Sequence, residues 1–240
     1  MHQYGIDIDQ LQTLISVPVS STTEYGSHAA LATTADYRLE QFIVEAGRQV
    51  TFAMKPDEAA TLFVEEGSVS VGRDICGARM LVQLPPSSDT AVTAEANSTL
   101  YVFFGAAGES DLQGPAAVGA TDDFRDKYWG SIETMVNAEY TGKRLFFRKG
   151  KHSSLHFHCN KIETYYIHSG ELFVRLRAGR GEDRFFTLKK GDTLLIPPGL
   201  MHQDAGTDDT VIIEVSTHDE DSDSFIVEDG ATTVMPGFTS

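Results

Sequence analysis

Two stretches decide the fold of this chain: GKHSSLHFHCNKIETYYIHSG at residues 150–170 and GDTLLIPPGLMH at residues 191–202. Their glycines and prolines are spaced as in short β-strands that are joined by tight turns. Side chains two residues apart on a strand point to the same face of a sheet. The pattern therefore predicts that His156 and His158 both project inward from one strand.

A carboxylate and a third histidine complete a set of candidate ligands. Glu163 opens the next strand after a short turn, and the turn that begins at Pro197 brings in His202 from a distant strand. Three imidazoles and one carboxylate that meet inside a small β-barrel form a divalent metal site with open coordination positions. A lone histidine is more often an ordinary core or surface residue, but four such groups at this spacing favour metal ligation.

The two stretches resemble the two sequence motifs of the cupin superfamily. This resemblance implies an all-β, jelly-roll barrel in which the metal ligands are His156, His158, Glu163 and His202. Histidine and carboxylate ligands accept Zn, Mn, Fe, Co or Ni, so the motifs predict a divalent transition metal ion without identifying the element.

The first half of the chain repeats the second half without its ligands. Gly47 and Gly67 align with Gly150 and Gly170 at one common offset. An ammonium group at a ligand position would repel a divalent ion, so we predict one metal per chain, bound in the second half. We expect the first barrel to fill its interior with apolar side chains such as Phe52, Met54 and Leu62. At the ligand positions the first copy has Ala53, Lys55 and Ala60, with Thr90 near the position of His202.

The repeat predicts two tandem cupin domains, an arrangement called a bicupin. Residues 1–115 are predicted to form a degenerate domain without metal ligands, and residues 116–240 a metal-binding domain. Residues 106–123 are small and polar, as is typical of a linker. After it, Asp122 or Asp123 is predicted to cap a helical turn through FRDKYWG.

Composition limits the class of partner and the compartment. The chain has 240 residues, with 35 acidic and 19 basic side chains and a formal net charge of −16. This charge argues against binding to nucleic acid or to an anionic membrane surface. The first residues resemble no targeting signal, no apolar run reaches membrane-spanning length, and two cysteines are too few for a disulfide framework. We therefore predict a cytoplasmic protein.

The segments that flank the second copy are similar to those of cupins that act on sugars, notably the type II phosphomannose isomerases and the lyxose isomerases. Three pairs match residue by residue: Trp129-Gly130, Glu214-Val215 and Glu228-Asp229. The arginines that flank the last pair in the phosphomannose isomerases are replaced here by Ile226-Val227 and Gly230-Ala231. The resemblance implies a small-molecule substrate, a sugar or a sugar derivative, but does not extend to phosphate recognition.

A metal-dependent aldose–ketose isomerase or an epimerase-like enzyme is the function that this resemblance implies. Such a reaction needs a base, and Glu214 is the first candidate because a carboxylate within VIIEVS needs a partner inside the barrel. Lys161 and Tyr165 are further candidate catalytic residues, since they lie beside the ligands in sequence. A metal-dependent dioxygenase and a non-catalytic sugar-binding cupin are the alternatives, and an apolar pocket would favour the dioxygenase.

Several local predictions complete the sequence analysis. Residues 8–14 are predicted to form a short helix, and the stretches RAGRGEDR (177–184) and HDEDSDS (218–224) to be solvated loops. The segments LYVFFG (100–105) and LFFRKG (145–150) are predicted to be buried edge strands, which favours a homodimer.

Overall fold

The computed structural model describes residues 6, 8–108, 114–121 and 123–238, and most of its elements are β-strands. It also contains two short 3₁₀ helices, Ile8–Leu14 and Asp221–Asp223. The first of these confirms the predicted short helix at residues 8–14. Within these described ranges, no helix is long and apolar enough to cross a membrane.

The strands are numbered in chain order. The first twelve are β1 (Ile15–Ser16), β2 (Ser21–Thr23), β3 (Gly26–Thr33), β4 (Tyr37–Val44), β5 (Gln49–Ala53), β6 (Glu58–Glu66), β7 (Ser68–Val71), β8 (Asp74–Gly77), β9 (Met80–Leu84), β10 (Asp89–Ala94), β11 (Ser98–Ala106) and β12 (Ala117–Ala120). The others are β13 (Asp123–Lys127), β14 (Gly130–Asn137), β15 (Tyr140–Phe147), β16 (Leu155–His158), β17 (Glu163–Ser169), β18 (Glu171–Ala178), β19 (Arg184–Lys189), β20 (Thr193–Ile196), β21 (Leu200–Gly206), β22 (Thr210–Thr217) and β23 (Ser224–Glu228).

The chain forms two compact units, which we call the first and the second unit. The first contains Pro18–Asp123 and Thr134–Gly142, and the second contains residues up to Val17, Phe124–Glu133 and the residues from Lys143 onward. Both units are discontinuous in sequence, and the predicted division at residues 115 and 116 stays a prediction.

Antiparallel sheets account for the architecture. One seven-stranded sheet has the order β12-β9-β6-β11-β4-β3-β2, and a four-stranded sheet has the order β5-β10-β7-β8. A second seven-stranded sheet runs β1-β20-β17-β22-β15-β14-β13, and a five-stranded sheet runs β19-β18-β21-β16-β23. Apolar side chains on the inner faces of these strands form a buried cluster within each unit.

The predicted internal repeat is visible in the turn geometry. Gly67 and Gly170 both have positive φ angles, 86° and 81°. A Cβ atom added to Gly67 would lie 2.4 Å from the Asn97 carbonyl oxygen, and one added to Gly170 would lie 2.4 Å from the Asp209 carbonyl oxygen. Only glycine tolerates both the conformation and the close approach, so the two turns are built in the same way.

Three sequence-based predictions about local structure are wrong. The predicted linker contains a strand, β12, and the predicted helical turn through FRDKYWG is the strand β13, whose exposure alternates with period two. The segments LYVFFG and LFFRKG are not edges, because β11 lies between β6 and β4 and β15 lies between β22 and β14. These two segments therefore give no support to a homodimer, which stays a prediction.

Partly buried ion pairs connect the last strand, β23, to β18 within the second unit. Arg175 is 2% exposed, and its Nη1 and Nη2 atoms donate to the two carboxylate oxygens of Glu228 at 2.7 and 3.0 Å. Asp183 accepts from Arg177 at 2.7 and 3.1 Å and pairs with Arg175 at 2.9 Å. The hairpin RAGRGEDR is thus not simply a solvated loop, because its first arginine and its aspartate belong to this cluster.

We predict that Glu228→Gln destabilises the protein by about 1–2 kcal/mol near neutral pH, because it weakens a charge-assisted bidentate contact. The hydrogen bond from Arg175 lowers the pKa of Glu228 in the folded state. A lowered folded-state pKa stabilises the protein above the unfolded-state pKa of about 4.3, and this stabilisation is lost as the pH falls through the folded-state pKa. Urea unfolding at pH 7 and pH 3.5 should therefore show that the difference between wild type and variant shrinks in acid.

Glu182→Gln is the matched control, because Glu182 is 87% exposed and pairs only at the surface with Arg184. It should change the free energy of unfolding by less than about 0.5 kcal/mol. Equal effects of the two substitutions would contradict the anchoring role of Glu228.

Candidate metal centre

Two paired strands bring the three predicted histidines together. His156 and His158 lie on β16, and His156 is the residue directly opposite His202 on β21. Residues opposite each other in an antiparallel pair project to the same face. One ring nitrogen from each of the three histidines lies within 4.8 Å of the others, so the triad is able to hold a metal ion.

Hydrogen bonds to the main chain fix the tautomer of each histidine. In each ring the Nδ1–H group donates to a backbone carbonyl oxygen, which leaves Nε2 as the atom that can face a metal ion. Burial lowers the pKa of His156 well below its usual range and also lowers that of His158, so both imidazoles are neutral. The accepting carbonyls belong to Ser154 for His156 (3.0 Å), Asp223 for His158 (2.9 Å) and Leu200 for His202 (3.1 Å).

Glu163 adds a carboxylate to the triad. It is 1% exposed, and its Oε1 atom lies 3.0 Å from His202 Nε2 and 3.8 Å from His158 Nε2. Burial lowers the pKa of His202, but the Glu163 carboxylate outweighs burial and raises it, so the contact between the two buried atoms is attractive. A divalent ion held by both atoms could take the place of a proton between them. The residues therefore fit a divalent ion with three histidine ligands and one glutamate ligand.

A buried polar network extends from the ligand Glu163. The Lys161 Nζ atom lies 2.6 Å from Glu163 Oε2, 3.2 Å from Glu214 Oε1 and 2.9 Å from Asp219 Oδ1. Asp219 also binds the Nζ atom of Lys143 at 2.6 Å. Burial opposes the charge on Lys161, but the three carboxylates outweigh it and raise its pKa well above the usual value. Lys161 is thus a fixed cation that connects a metal ligand to two further carboxylates.

Glu214 faces the interior because of the strand register. It lies opposite Tyr165 in the pairing of β22 with β17, and it is 3% exposed. The structure therefore brings together Glu214, Lys161 and Tyr165, the three residues predicted to be catalytic, around the same interior space. Their catalytic roles stay predictions.

Sequence analysis missed Lys143 and Asp219. Lys143 lies on β15 at period-two spacing from Leu145 and Phe147, so the alternation could have placed it on the inner face. Strand alternation could not have placed Asp219, because this residue lies in an acidic stretch two residues after β22 ends at Thr217. Burial raises its pKa, but the ammonium groups of Lys161 and Lys143 outweigh burial and hold the pKa well below its usual range.

Asp223 ties the C-terminal segment to the ligand loop. Its carboxylate accepts hydrogen bonds from the backbone N–H groups of Cys159 (2.9 Å), Asn160 (3.0 Å) and Lys161 (3.0 Å). Its main-chain carbonyl is the one that orients His158. The acidic stretch HDEDSDS is therefore not a uniformly solvated loop, since two of its aspartates are held inside.

A cavity of about 160 Å³ opens onto the centre. Trp129 lines it and stacks on Phe147 with ring centroids 4.2 Å apart, so the tryptophan is both a packing residue and a cavity wall. Burial raises the pKa of Asp204 to about 7, although His202 acts in the opposite direction. His152, which precedes the ligands in sequence, lies at a bridge to Ala205 and is not among the residues that line this cavity. The charged lining residues are Arg125, Lys127, Lys143, Lys161, Glu163, Asp204, Glu214, Asp219, Glu220 and Asp221.

The sheets and the inward-facing histidines define the chain as an all-β bicupin by its fold, as predicted. Residues 141–238 match the family described as Cupin. A curated relative, mannose-1-phosphate guanylyltransferase from Sinorhizobium fredii, is 34% identical over 76 residues. That match covers 31% of this chain and only 14% of the guanylyltransferase, so the chain spans a small part of that protein's length.

Solved structures of Bacillus subtilis oxalate decarboxylase share the fold. One mutant of that enzyme has a TM-score of 0.69 and 13% sequence identity, and the likeness covers 86% of this chain and 77% of the other. Another, from a study of the enzyme's Mn(II) centres, has a TM-score of 0.72 and 13% identity, with 89% of this chain and 79% of the other covered. At this identity the likeness establishes the shared fold alone.

We predict that His156→Ala abolishes stoichiometric binding of a divalent metal while the barrel stays folded, because the apolar core exists without the ion. Elemental analysis after dialysis and far-ultraviolet circular dichroism would measure the two effects. His152→Ala is the matched control, because it removes a neighbouring histidine outside the triad. Full metal content in the His156 variant would show that the ligand assignment is wrong.

We predict that Asp223→Ala weakens metal affinity by about 10- to 100-fold, because the ligand loop loses three hydrogen bonds. Competition with a coloured chelator would give the affinity. Asp221→Ala, which removes a carboxylate that is 88% exposed, should leave that affinity unchanged. Equal affinities of the wild type and the Asp223 variant would contradict the positioning role.

Proposed function

We propose that this protein is a metal-dependent enzyme that isomerises or epimerises a neutral sugar or sugar derivative. One divalent ion, of Zn, Mn, Fe, Co or Ni, would be held by His156, His158, Glu163 and His202. The observation that carries the proposal is the buried carboxylate Glu214, held by Lys161 beside this centre in a small charged cavity. Proton transfer between neighbouring carbons needs such a base near a Lewis acid.

The charge of the cavity favours a neutral substrate. Six carboxylates and four cationic side chains line it. A divalent ion would bring this lining close to neutrality, whereas a phosphorylated or dicarboxylic substrate would leave it with a net negative charge. The arginines that flank the Glu228-Asp229 pair in the phosphomannose isomerases are also absent here, which likewise favours a substrate without a phosphate group.

The cavity size and its walls also suit a small hydroxylated molecule. Its volume of about 160 Å³ is below the several hundred Å³ of most drug-sized sites. The ring of Trp129 offers an apolar face against which the C–H face of a sugar can pack. The surrounding carboxylates and ammonium groups offer hydrogen bonds to hydroxyl groups.

The chain's own residues can carry the proton. The bound ion supplies Lewis acidity toward the substrate's carbonyl and hydroxyl oxygens. In an isomerisation, Glu214 would accept the proton from one carbon and return it to the neighbouring carbon, while Tyr165 would give its proton to the carbonyl oxygen and take one up from the substrate hydroxyl group. In an epimerisation, Glu214 would return the proton to the other face of the same carbon after the substrate had turned in the cavity. Lys161 holds the carboxylates of Glu163 and Glu214 in place, and Asp219 with Lys143 supports Lys161 from the other side. The Tyr165 hydroxyl stays protonated because burial raises its pKa well above the usual value, so it can donate to a substrate oxygen.

The charged lining argues against the dioxygenase alternative, which an apolar pocket would favour. Oxalate decarboxylase is the enzyme of the structural neighbours, but a small dianion would bring the metal-loaded lining here from near neutrality to a net negative charge. A non-catalytic sugar-binding cupin stays the second candidate, since the same cavity could bind a sugar without turnover.

We predict that the metal-loaded protein exchanges a carbon-bound proton of a neutral sugar with D₂O, and that Glu214→Gln lowers this rate by at least about 100-fold while metal content is retained. NMR spectroscopy of a panel of free and phosphorylated sugars would detect the exchange. Glu220→Gln is the control, because Glu220 lines the same cavity with an exposed side chain.

The other outcomes identify the alternatives. Sugar binding without exchange would favour the non-catalytic cupin. Oxygen consumption, or release of CO₂ from a small carboxylic acid, would contradict the isomerase. Exchange that persists in the Glu214 variant would remove Glu214 as the base.

A further inference from the structure

The first unit contains a cavity of its own, of about 670 Å³, although it lacks the ligand set of the second unit. The expectation that apolar side chains fill this interior is met only in part. Phe52 and Met54 are buried, at 5% and 7% exposure, yet both line the cavity and do not close it. A volume of this size lies in the range of small-molecule sites.

An organised charged cluster lies in this cavity. The Arg38 guanidinium donates to Glu40 through Nε at 3.2 Å and to Glu58 through Nη1, and it lies over the ring of Phe104 at 4.2 Å. The other carboxylate oxygen of Glu40 contacts His28 Nε2 at 2.9 Å. The arginine is therefore held in one orientation by two carboxylates and an aromatic face.

The two carboxylates of this cluster align in sequence with the two lysines of the charged network in the second unit. Glu40 precedes Gly47 by seven residues, as Lys143 precedes Gly150, and Glu58 precedes Gly67 by nine, as Lys161 precedes Gly170. The first unit thus has two carboxylates around a cation where the second has two ammonium groups around carboxylates. The Glu40 and Glu58 side chains are partly buried, at 18% and 13% exposure. A barrel that served only as packing would not need partly buried charges at these positions, because even partial burial of charge is costly.

The chemistry of the lining identifies a class of ligand. Arg38 supplies donors, the carboxylates supply acceptors, and Phe42 and Phe52 supply apolar faces. Three carboxylates and one arginine line the cavity, which disfavours anions. The arginine already occupies the face of Phe104, which disfavours an organic cation at that ring. Hydrogen-bond donors and acceptors beside aromatic rings suit a molecule that has several hydroxyl groups and one face of C–H groups.

We propose that the first unit binds a neutral saccharide in this cavity, at a site that is separate from the metal centre and carries out no chemistry. The inference goes beyond the proposed function, because it uses only residues of the first unit and requires neither a metal nor turnover.

The test uses the full chain with His156→Ala, so that the metal centre does not contribute. Isothermal titration with neutral mono- and disaccharides should show one site per chain. Hydrogen-exchange mass spectrometry should show protection of Tyr37–Val44 and Gln49–Ala53, the strands that line the cavity. Added Glu58→Gln should weaken binding at least 10-fold, whereas added Glu95→Gln, an exposed carboxylate of the same unit outside the cavity, should not change it.

Four results would overturn the proposal. The first is that no saccharide binds at about 10 mM, the upper end of weak affinity, and the second is that hydrogen-exchange protection is confined to the second unit. The third is an unchanged saccharide affinity in the Glu58 variant. The fourth is tighter binding of a sugar phosphate or a tetramethylammonium salt than of any neutral saccharide. Failure of the proposed isomerase would leave this result unaffected, since it is measured in a metal-free variant and without turnover.

Discussion

The hydrogen bonds from three histidine Nδ1 atoms to main-chain carbonyls are the constraint on which the metal centre depends. They select one tautomer in each ring and direct three Nε2 lone pairs toward a common point. The acceptors are backbone atoms, so the site inherits the rigidity of the strands and turns around it. The required spacing of Gly150, Gly170, Gly191 and Gly199 follows from this, since all four have positive φ angles in turns between those strands.

Local rules predicted which residues meet at the candidate metal centre, because strand alternation and turn chemistry act over a few residues. His156, His158 and Glu163 lie within one such stretch, and the turn before His202 is signalled by prolines and a glycine. The same alternation could have found Lys143, which shares a face with its strand neighbours. The buried contacts of Asp219 and Asp223 could not be predicted from the sequence, because their partners lie about 60 residues earlier in the chain. An acidic stretch of this kind is usually solvated.

Sheet order was the other limit of sequence analysis. A strand's apolar character does not say whether it has one neighbour or two, and the order within a sheet is set by pairings between distant segments. LYVFFG is rich in aromatic residues because β11 is a central strand that is buried on both faces. LFFRKG begins in another central strand, β15, in which buried and half-buried residues alternate. FRDKYWG was assigned to a helix because capping signals are local, whereas its strand state depends on a neighbour in the sheet.

The contacts of Asp223 and Glu228 also carry a consequence for the order of events during synthesis. The carbonyl that orients His158 and the carboxylate that neutralises Arg175 both lie more than 50 residues after the side chains they serve. A nascent chain that ends after His202 contains all four candidate ligands. In that chain the carbonyl that orients the His158 ring and the carboxylate that pairs with Arg175 have not yet been made. Metal affinity should therefore reach its full value only after the segment from Asp223 to Glu228 has been synthesised.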